Sequence, residues 1–290
     1  MGREDFGQWY AKARAAAVQH QVPPYELDWL IQTLFGVDKL HLRLNFAPSI
    51  QEMEQLHTLW EQRIRQRIPV QYLAGKTLWR GLELAVNSAV LIPRPETELL
   101  IDVVDALLPA NSRLRSGIWL DMGTGSGAIA IGLRQILPHA QIHAVDISAS
   151  ALAIAKLNAE KYNSSITFHQ SDWFTAIPHL KGKVAGVVSN PPYIPTAEID
   201  TLAEEVKCHE PPIALDGGSS GLTAIQFLLK EIPHFLIPNG IFVIEVMAGQ
   251  AKAVVQLLAE AGNFQQIQIH RDYAGHERFI SGKSLPRFLG

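Results

Sequence analysis

The chain has 290 residues, 47% of them hydrophobic, which predicts an ordinary globular protein with room for two domains. Its formal net charge of -3 argues against a protein held on nucleic acid mainly by phosphate contacts. The single cysteine, Cys208, excludes an internal disulfide framework, and its pairing with His209 alone does not have the spacing of a zinc site, so no metal is expected.

The sequence contains no apolar run near the roughly 18 residues that a membrane span requires. Glu4 and Asp5 stand where a signal peptide would be apolar. We therefore expect a cytoplasmic protein without membrane contacts, with an organelle matrix as the alternative. A monomer is also expected.

Residues 1–73 have apolar side chains at helical spacing and no glycine-rich loop. One predicted helix opens after Pro23-Pro24 and ends at Gly36, and another begins with a capping box of Ser49 and Glu52. The pattern predicts a small helical domain. It serves either stability and assembly or the recognition of a protein substrate, and the sequence does not separate these two roles.

Residues 74–92 alternate between polar and apolar positions, including Val90-Leu91-Ile92, which predicts a β-hairpin that links two domains. In the following Pro93-Arg94-Pro95, the second proline suits the first position of a helix, and the acids after it suit the positive end of the helix dipole. These preferences do not explain Arg94, whose rigid placement between two prolines can serve a substrate.

From about residue 117, strand patterns alternate with helix patterns, which predicts parallel pairing through right-handed crossovers. Residues 93–290 are therefore expected to form an α/β domain with a doubly wound, mostly parallel sheet. The predicted strands are 118–120, 142–145, 166–169, 184–188 and 241–246, with two short strands around 267–269 and 278–280.

A glycine-rich turn, Asp121-Met122-Gly123-Thr124-Gly125-Ser126-Gly127, lies between the first of these strands and its helix. Alternating glycines let the backbone approach a ligand, and a helix amino terminus follows. The spacing differs from the Gly-x-Gly-x-x-Gly of dinucleotide sites, and Asp121 would repel a pyrophosphate. An acid here suits a ligand that carries an ammonium and a sulfonium, as S-adenosylmethionine does.

Two more acids stand at the ends of the next two strands. Asp146 closes the second strand, where a carboxylate can accept hydrogen bonds from both ribose hydroxyls. Asp172, followed by Trp173, can accept from an adenine amine while the aromatic ring covers the base. Each acid alone is typical of a cap or turn, but their conjunction with the glycine-rich turn at one sheet edge predicts cofactor binding.

The tetrapeptide Asn190-Pro191-Pro192-Tyr193 follows the apolar strand 184–188, and its prolines prevent that strand from continuing. The side-chain carbonyl of Asn190 and the backbone carbonyl of Pro191 can accept both hydrogens of one planar NH2 group. Bending that nitrogen toward a tetrahedral geometry frees its lone pair for an electrophile. The four residues alone equally suit a Pro-Pro turn with an asparagine cap.

These motifs together resemble class I methyltransferases that modify planar nitrogens, a group that includes the adenine-amine DNA and RNA enzymes. A more specific family is indicated by the helical N-terminal domain and by three further segments, Arg94–Glu98, Glu210–Pro212 and Asp216–Leu222. The chain resembles the HemK/PrmC peptide chain release factor glutamine methyltransferases over almost its whole length. The segment Asp272–Arg278 departs from that family by inserting His276, to which we assign no role.

The resemblance implies a class I, Rossmann-like S-adenosylmethionine-dependent methyltransferase fold. It also implies methyl transfer by in-line displacement to the Gln side chain in the Gly-Gly-Gln motif of class I release factors, with S-adenosylhomocysteine as product. The nearest alternative is an adenine-amine methyltransferase on DNA or RNA, because a flipped adenine presents a similar NH2 group. Another alternative is a methyltransferase-like binding module without catalytic activity. No stable nucleic-acid complex is expected.

The resemblance also assigns residues to the site by position. The cofactor is expected against Asp121, Gly123, Thr124, Gly125, Gly127, Asp146, Ile147, Asp172, Trp173 and Asn190. The substrate is expected against Arg94, Glu96, Thr97, Asn190, Pro191, Pro192 and Tyr193. Catalysis is assigned to Asn190, Pro191 and Tyr193.

Overall fold

The structure is a computed structural model that describes residues 5–44 and 46–285. Glu4, part of the argument against a signal peptide, lies outside these residues. The described chain divides into two compact units, one with the residues up to Thr77 and also Ala203–His209, the other with Leu78–Leu202 and the residues from Glu210 onward. The sequence pattern did not place Ala203–His209 with the helical residues.

The order of helices and strands changes from helical to alternating at about residue 76. Within the described residues the helices are α1 (Phe6–Gln19), α2 (Tyr25–Phe35), α3 (Lys39–Leu44), α4 (Ile50–Gln66), α5 (Val70–Ala74), α6 (Leu99–Leu107), α7 (Ala128–Ile136), α8 (Ala149–Lys161), α9 (Glu204–His209), α10 (Pro212–Leu215), α11 (Thr223–Phe235) and α12 (Ala251–Ala261). The strands are β1 (Lys76–Trp79), β2 (Leu82–Ala85), β3 (Ile118–Met122), β4 (Gln141–Asp146), β5 (Ile166–Gln170), β6 (Val184–Ser189), β7 (Leu236–Glu245), β8 (Phe264–Arg271) and β9 (Glu277–Ser284). Short 3-10 helices cover Pro95–Glu98, Arg113–Ser116, Pro178–Leu180 and Thr196–Thr201.

The second unit is built on a sheet with the strand order β5-β4-β3-β6-β7-β9-β8. Pairing is parallel from β5 through β7, and β9 then pairs antiparallel with both β7 and β8. The predicted doubly wound, mostly parallel sheet is confirmed. The winding direction reverses between the neighbouring strands β3 and β6, and open α/β sheets bind ligands at such a switch point.

Apolar clusters cover both faces of this sheet. Val188 of β6 packs in a cluster with α6 and α7, whereas its neighbour Val187 packs in a cluster with α11 and α12. Successive side chains of a strand point to opposite faces, so a strand covered on both sides is apolar throughout. This two-sided burial explains the continuous apolar run that precedes Asn190.

The first unit has its own apolar core around Trp9, Leu30 and Trp60. The predicted capping box at the start of α4 is confirmed: the Ser49 N–H donates to Glu52 Oε2 at 2.6 Å, and the Glu52 N–H donates to Ser49 Oγ at 3.3 Å. Among the described residues, no helix combines the length and the apolar character that crossing a membrane requires.

The short helix α9 joins this first unit through the buried Arg63. The guanidinium of Arg63 donates from Nη2 to Glu205 Oε1 at 2.7 Å and from Nε to Glu26 Oε2 at 2.5 Å. Arg67 also pairs with Glu205, with 2.5 Å between Nη2 and Oε1. Charge-assisted bonds of this kind offset the cost of burying a guanidinium. They explain why α9 groups with helices that lie far from it in sequence.

The predicted hairpin is present as β1 and β2, but it is shorter than expected. Val90 and Ile92, which were predicted to extend it, lie in a loop with both side chains buried. Pro95 begins a 3-10 helix that continues into α6, in agreement with its expected role at the start of a helix.

Candidate active site

A cavity of about 960 Å³ lies at the carboxyl ends of the central strands. It is lined by residues that end or follow consecutive strands: Gly123 after β3, Asp146 in β4, Asp172 after β5 and Asn190 after β6. Its volume falls in the range typical of small-molecule sites. Of the other residues expected at the site, Gly125, Ile147, Trp173 and Pro192 also line the cavity, whereas Arg94, Glu96, Thr97, Asp121, Thr124, Gly127, Pro191 and Tyr193 do not.

The glycine-rich turn has the backbone geometry that its spacing predicts. Gly123, Gly125 and Gly127 have φ values of 76°, 53° and 83°, in the left-handed region that glycine adopts without steric cost. Gly127 is the N-cap of α7, so the turn leads directly into a helix amino terminus. Gly123 and Gly125 therefore present backbone to the cavity immediately before the positive end of a helix dipole.

Asp121 is fully buried beside this turn. Its Oδ2 accepts from Thr124 Oγ1 at 2.5 Å and from the Ala130 N–H at 3.0 Å, whereas Oδ1 has no hydrogen-bond partner among the described residues. Burial removes hydration from the carboxylate and raises the pKa of Asp121 to about 7. A buried carboxylate oxygen left unpaired here fits a ligand that brings a cationic hydrogen-bond donor.

Asp146 is held by backbone groups on either side of the cavity rim. Its Oδ2 accepts from the Gly125 N–H at 2.8 Å, and its Oδ1 accepts from the Ser148 N–H at 2.9 Å. Burial raises the pKa of Asp146, and these backbone bonds partly offset that effect. Each carboxylate oxygen retains a second lone pair, so the fixed side chain can still accept from ligand hydroxyls.

Asp172 and Trp173 also line the cavity. The Asp172 side chain is exposed and lines the cavity. Trp173 has a φ of 48°, and its ring lies close enough to Gly123 that a β-carbon there would be 3.8 Å from it. Phe227, on α11, lines the same cavity, with its ring centroid 6.5 Å from that of Trp173. The arrangement offers one acceptor and two aromatic rings to a flat, amine-bearing base.

Asn190 is connected to two buried side chains behind the cavity wall. Its Nδ2 donates to Thr97 Oγ1 at 3.2 Å, and the Thr97 hydroxyl donates to Glu245 Oε2 at 2.7 Å. Thr97 is 4% exposed and Glu245 is 1% exposed. Burial raises the pKa of Glu245 to about 7, although Thr97 and Tyr193 hydrogen bonds lower it. Thr97 therefore contacts Asn190 rather than the cavity.

Tyr193 is tied to the same carboxyl group. Its hydroxyl donates to Glu245 Oε1 at 3.1 Å, and burial together with the Glu245 charge raises the pKa of Tyr193. The ring packs among the apolar residues around α11 and α12. Tyr193 is neutral at physiological pH and supports the tetrapeptide from behind.

The backbone at Tyr193 and Ile194 is held by contacts with Gln250 and with a second glycine-rich segment, Asp216–Leu222. Ile194 and Asp216 form an isolated parallel bridge, and Gln250 Nε2 donates to the Tyr193 carbonyl at 2.9 Å. Gly221 has a φ of 71°, and a β-carbon on it would lie 2.4 Å from the Tyr193 carbonyl oxygen. Only glycine fits this approach, which explains the glycines that follow Asp216.

Arg94 and Glu96 lie away from the cavity wall. Arg94 Nη2 donates to Glu210 Oε1 at 2.8 Å and to Oε2 at 2.9 Å, and Glu210 is 3% exposed. Burial raises the pKa of Glu210, an effect that the Arg94 charge opposes. The pair anchors the start of the segment Pro211–Ala214, which lines the cavity. Glu96 is exposed on the 3-10 helix.

Two polar residues of this site were not predicted, Glu245 and Gln250. Glu245 is a charged residue at the carboxyl end of the apolar strand β7, and that position alone could have drawn attention to it. Gln250 is an uncharged residue before α12 and carries no comparable signal. Their contacts with Thr97 and Tyr193 join segments distant in sequence, which local patterns do not reveal.

No group of three or more His, Cys, Asp or Glu side chains in residues 5–44 and 46–285 is arranged to hold a metal ion. Cys208 is an exposed free thiol. His276 has a local partner, because its Nδ1 lies 3.3 Å from Asp272 Oδ2, the oxygen that also accepts from Arg278 Nε at 2.8 Å.

Comparisons with known proteins identify related sequences and a related fold. Residues 95–208 match the family model described as "Methyltransferase small domain". The chain is similar to the release factor glutamine methyltransferase of Synechocystis sp., with 48% identity over 97% of each chain. It is similar to that of Thermosynechococcus vestitus, with 43% identity over 97% of this chain and 98% of the other. A methyltransferase from Pyrococcus furiosus has the same fold, with a TM-score of 0.52, 14% identity and coverage of 81% of this chain and 98% of the other.

Proposed function

Because the chain belongs to the family of release factor glutamine methyltransferases, we propose that it methylates the side-chain amide nitrogen of the glutamine in the Gly-Gly-Gln motif of class I release factors. The methyl donor is S-adenosylmethionine. The observation that carries this proposal is the position of Asn190, at the wall of a cavity whose other walls are the glycine-rich turn and Asp146.

The residues around the cavity fit this donor. The unpaired Oδ1 of Asp121 suits an ammonium, the remaining lone pairs of Asp146 suit ribose hydroxyls, and Asp172 with Trp173 suits an adenine. When bound, S-adenosylmethionine supplies a methyl group on a positively charged sulfur and leaves as S-adenosylhomocysteine. Asp121, Asp146 and Asp172 would hold the ammonium, ribose and adenine of this donor, and Asn190 lines the same cavity as Asp146 and Asp172.

The acceptor amide is held by Asn190 Oδ1 and the Pro191 carbonyl, which accept its two hydrogens. This contact bends the nitrogen away from the plane of its carbonyl and frees the lone pair. A nitrogen-carbon bond forms as the sulfur-carbon bond breaks, and the electron pair of the broken bond stays on sulfur. The methylated amide is acidic, so its extra proton leaves to water without a protein base. Catalysis here is positioning and hydrogen bonding.

A transfer assay with tritium-labelled S-adenosylmethionine tests the proposal against its rivals. A class I release factor, single- and double-stranded DNA, and RNA are offered separately, and the labelled protein is digested for mass spectrometry. We expect label on the Gly-Gly-Gln glutamine. Label on DNA or RNA would establish the adenine-amine alternative, and label on no acceptor would indicate a binding module. A cytoplasmic location is part of this proposal, and the support for it is that the proposed substrate acts in translation.

A further inference from the structure

The hydrogen-bond chain behind Asn190 joins three segments that are far apart in sequence. Thr97 comes from the 3-10 helix before α6, Asn190 follows β6, and Glu245 is the last residue of β7. The chain runs from Asn190 Nδ2 to Thr97 Oγ1 and from the Thr97 hydroxyl to Glu245 Oε2. Thr97 and Glu245 are buried, while Asn190 reaches the cavity.

The direction of each bond follows from the chemistry of Glu245. Above about pH 7, where Glu245 is ionised, its carboxylate can only accept hydrogen bonds, so the single proton of the Thr97 hydroxyl is donated to it. The Thr97 oxygen can then only accept from Asn190, and the group of Asn190 that donates is its NH2. The carbonyl oxygen of the Asn190 side chain is thereby left for the cavity. Tyr193, which also donates to Glu245, reinforces the acceptor character of this carboxylate.

This orientation matters because an asparagine side chain has nearly the same shape when its oxygen and nitrogen exchange places. A reversed Asn190 would present NH2 to the acceptor amide. It would then pair with the carbonyl of that amide and turn the reacting nitrogen away from the methyl donor. Shape alone does not prevent the reversal, whereas the hydrogen-bond chain does.

We propose that Thr97 and Glu245 are positioning residues that fix the side-chain orientation of Asn190, so that its carbonyl oxygen faces an acceptor NH2 group. The role rests on the proposed function, since it concerns the acceptor held by Asn190. The orientation of Asn190 adds to that function, because it determines whether the nitrogen or the oxygen of the acceptor amide is presented for methylation. Burying a carboxylate for packing alone is unfavourable, and this carboxylate accepts hydrogen bonds from the hydroxyls of Thr97 and Tyr193.

The test compares two substitutions of Thr97, each of which changes one group on the native side chain. Thr97→Val keeps the shape and volume of the side chain but removes the hydroxyl, and Thr97→Ser keeps the hydroxyl. We expect Thr97→Val to lower kcat for release-factor methylation about 10-fold or more, with KM for the release factor and Kd for S-adenosylmethionine changed less than about 3-fold. Thr97→Ser should retain kcat within about 3-fold of the native enzyme. Thermal melting checks that both variants fold.

A second readout does not depend on turnover. In protein labelled with 15N-asparagine, the Nδ2 protons of Asn190, assigned through their loss in Asn190→Ala, should exchange slowly in the native chain and in Thr97→Ser. In Thr97→Val they should exchange at the rate of a solvent-exposed asparagine. An unprotected native Asn190, or equal kcat losses in both Thr97 variants, would overturn the positioning role. Protection in a native chain that does not methylate a release factor would instead refute the proposed substrate while the orientation stands.

Discussion

The two halves of the site are held in different ways. The cofactor half comprises Asp121–Gly127, Asp146 and Asp172. Within it, Asp146 accepts hydrogen bonds from backbone groups that are two and 21 positions away in sequence. In the acceptor half, comprising Thr97, Asn190–Tyr193 and Glu245, the contacts join residues 93 and 148 positions apart. The first half is a local consequence of strand ends and glycines. The second exists only once the whole sheet has assembled.

Each half contains one buried carboxyl group whose pKa burial raises to about 7, Asp121 and Glu245. Among the described residues, Asp121 has one oxygen without a hydrogen-bond partner, whereas both oxygens of Glu245 accept from protein hydroxyls. A cationic ligand can therefore satisfy Asp121 and favour its ionised form, while Glu245 is satisfied before any ligand binds. The comparison predicts that the halves respond separately to substitution and to pH.

The largest effect is expected from Asn190→Ala. Because this side chain acts on the acceptor amide, kcat should fall about 100-fold or more, while Kd for S-adenosylmethionine changes less than about 3-fold. Tritium transfer and calorimetry give the two quantities. Asn111→Ala, at an exposed position outside the cavity, is the matched control. Equal losses of turnover and cofactor affinity would mean that Asn190 is a scaffold residue common to both halves.

Asp146→Ala should give the opposite pattern. Removing a carboxylate that accepts from ligand hydroxyls is expected to weaken Kd for S-adenosylmethionine about 10- to 100-fold, with kcat at saturating cofactor within about 3-fold of native. Calorimetry measures the affinity directly. An unchanged Kd would contradict the assignment of Asp146 to the cofactor, and a large fall in saturated kcat would show that the two halves are not separable.

The same contrast explains how much of the molecule could be predicted from its sequence. The alternation of strands and helices, the sheet edge and the cavity residues Gly123, Asp146, Asp172 and Asn190 follow from patterns within short stretches, whereas the strand order of the sheet was not predicted. The position of Thr97 behind Asn190 does not, because it depends on how the 3-10 helix meets the end of β7. Likewise, α9 groups with the helical unit through Arg63 and Glu205, which are 142 positions apart.

Glu245→Gln should slow the enzyme while stabilising it. The glutamine NH2 can donate to Thr97, which allows Asn190 to reverse, so kcat should fall about 10-fold. The pKa of Glu245 is raised from 4.5 to about 7, so the folded state favours its protonated form. Native stability is therefore lost as pH rises from about 4.5 to about 7, at a cost on the order of 3 kcal/mol above that range.

The charged groups that act on Glu245 are Arg278, which favours the carboxylate, and Glu96, which opposes it. Melting temperatures of the native chain and of Glu245→Gln should therefore be closer at pH 5 than at pH 8, with the variant more stable at pH 8. A variant that melts lower at pH 8 and turns over at the native rate would assign Glu245 to packing instead.

The smallest expected effect is on the pH dependence of Kd for S-adenosylmethionine, which should depend on Asp121 and not on Glu245. A cationic ligand favours ionised Asp121, so Kd for S-adenosylmethionine should tighten about 3- to 10-fold as pH rises through about 7. In Asp121→Asn this pH dependence should be reduced, whereas in Glu245→Gln it should match the native chain. Asp146, whose pKa burial also raises, accounts for any dependence that remains in Asp121→Asn. Calorimetry between pH 6 and pH 8 measures the three profiles. A profile that flattens in Glu245→Gln but not in Asp121→Asn would reverse the roles, because the carboxyl group that senses the ligand would then lie in the acceptor half.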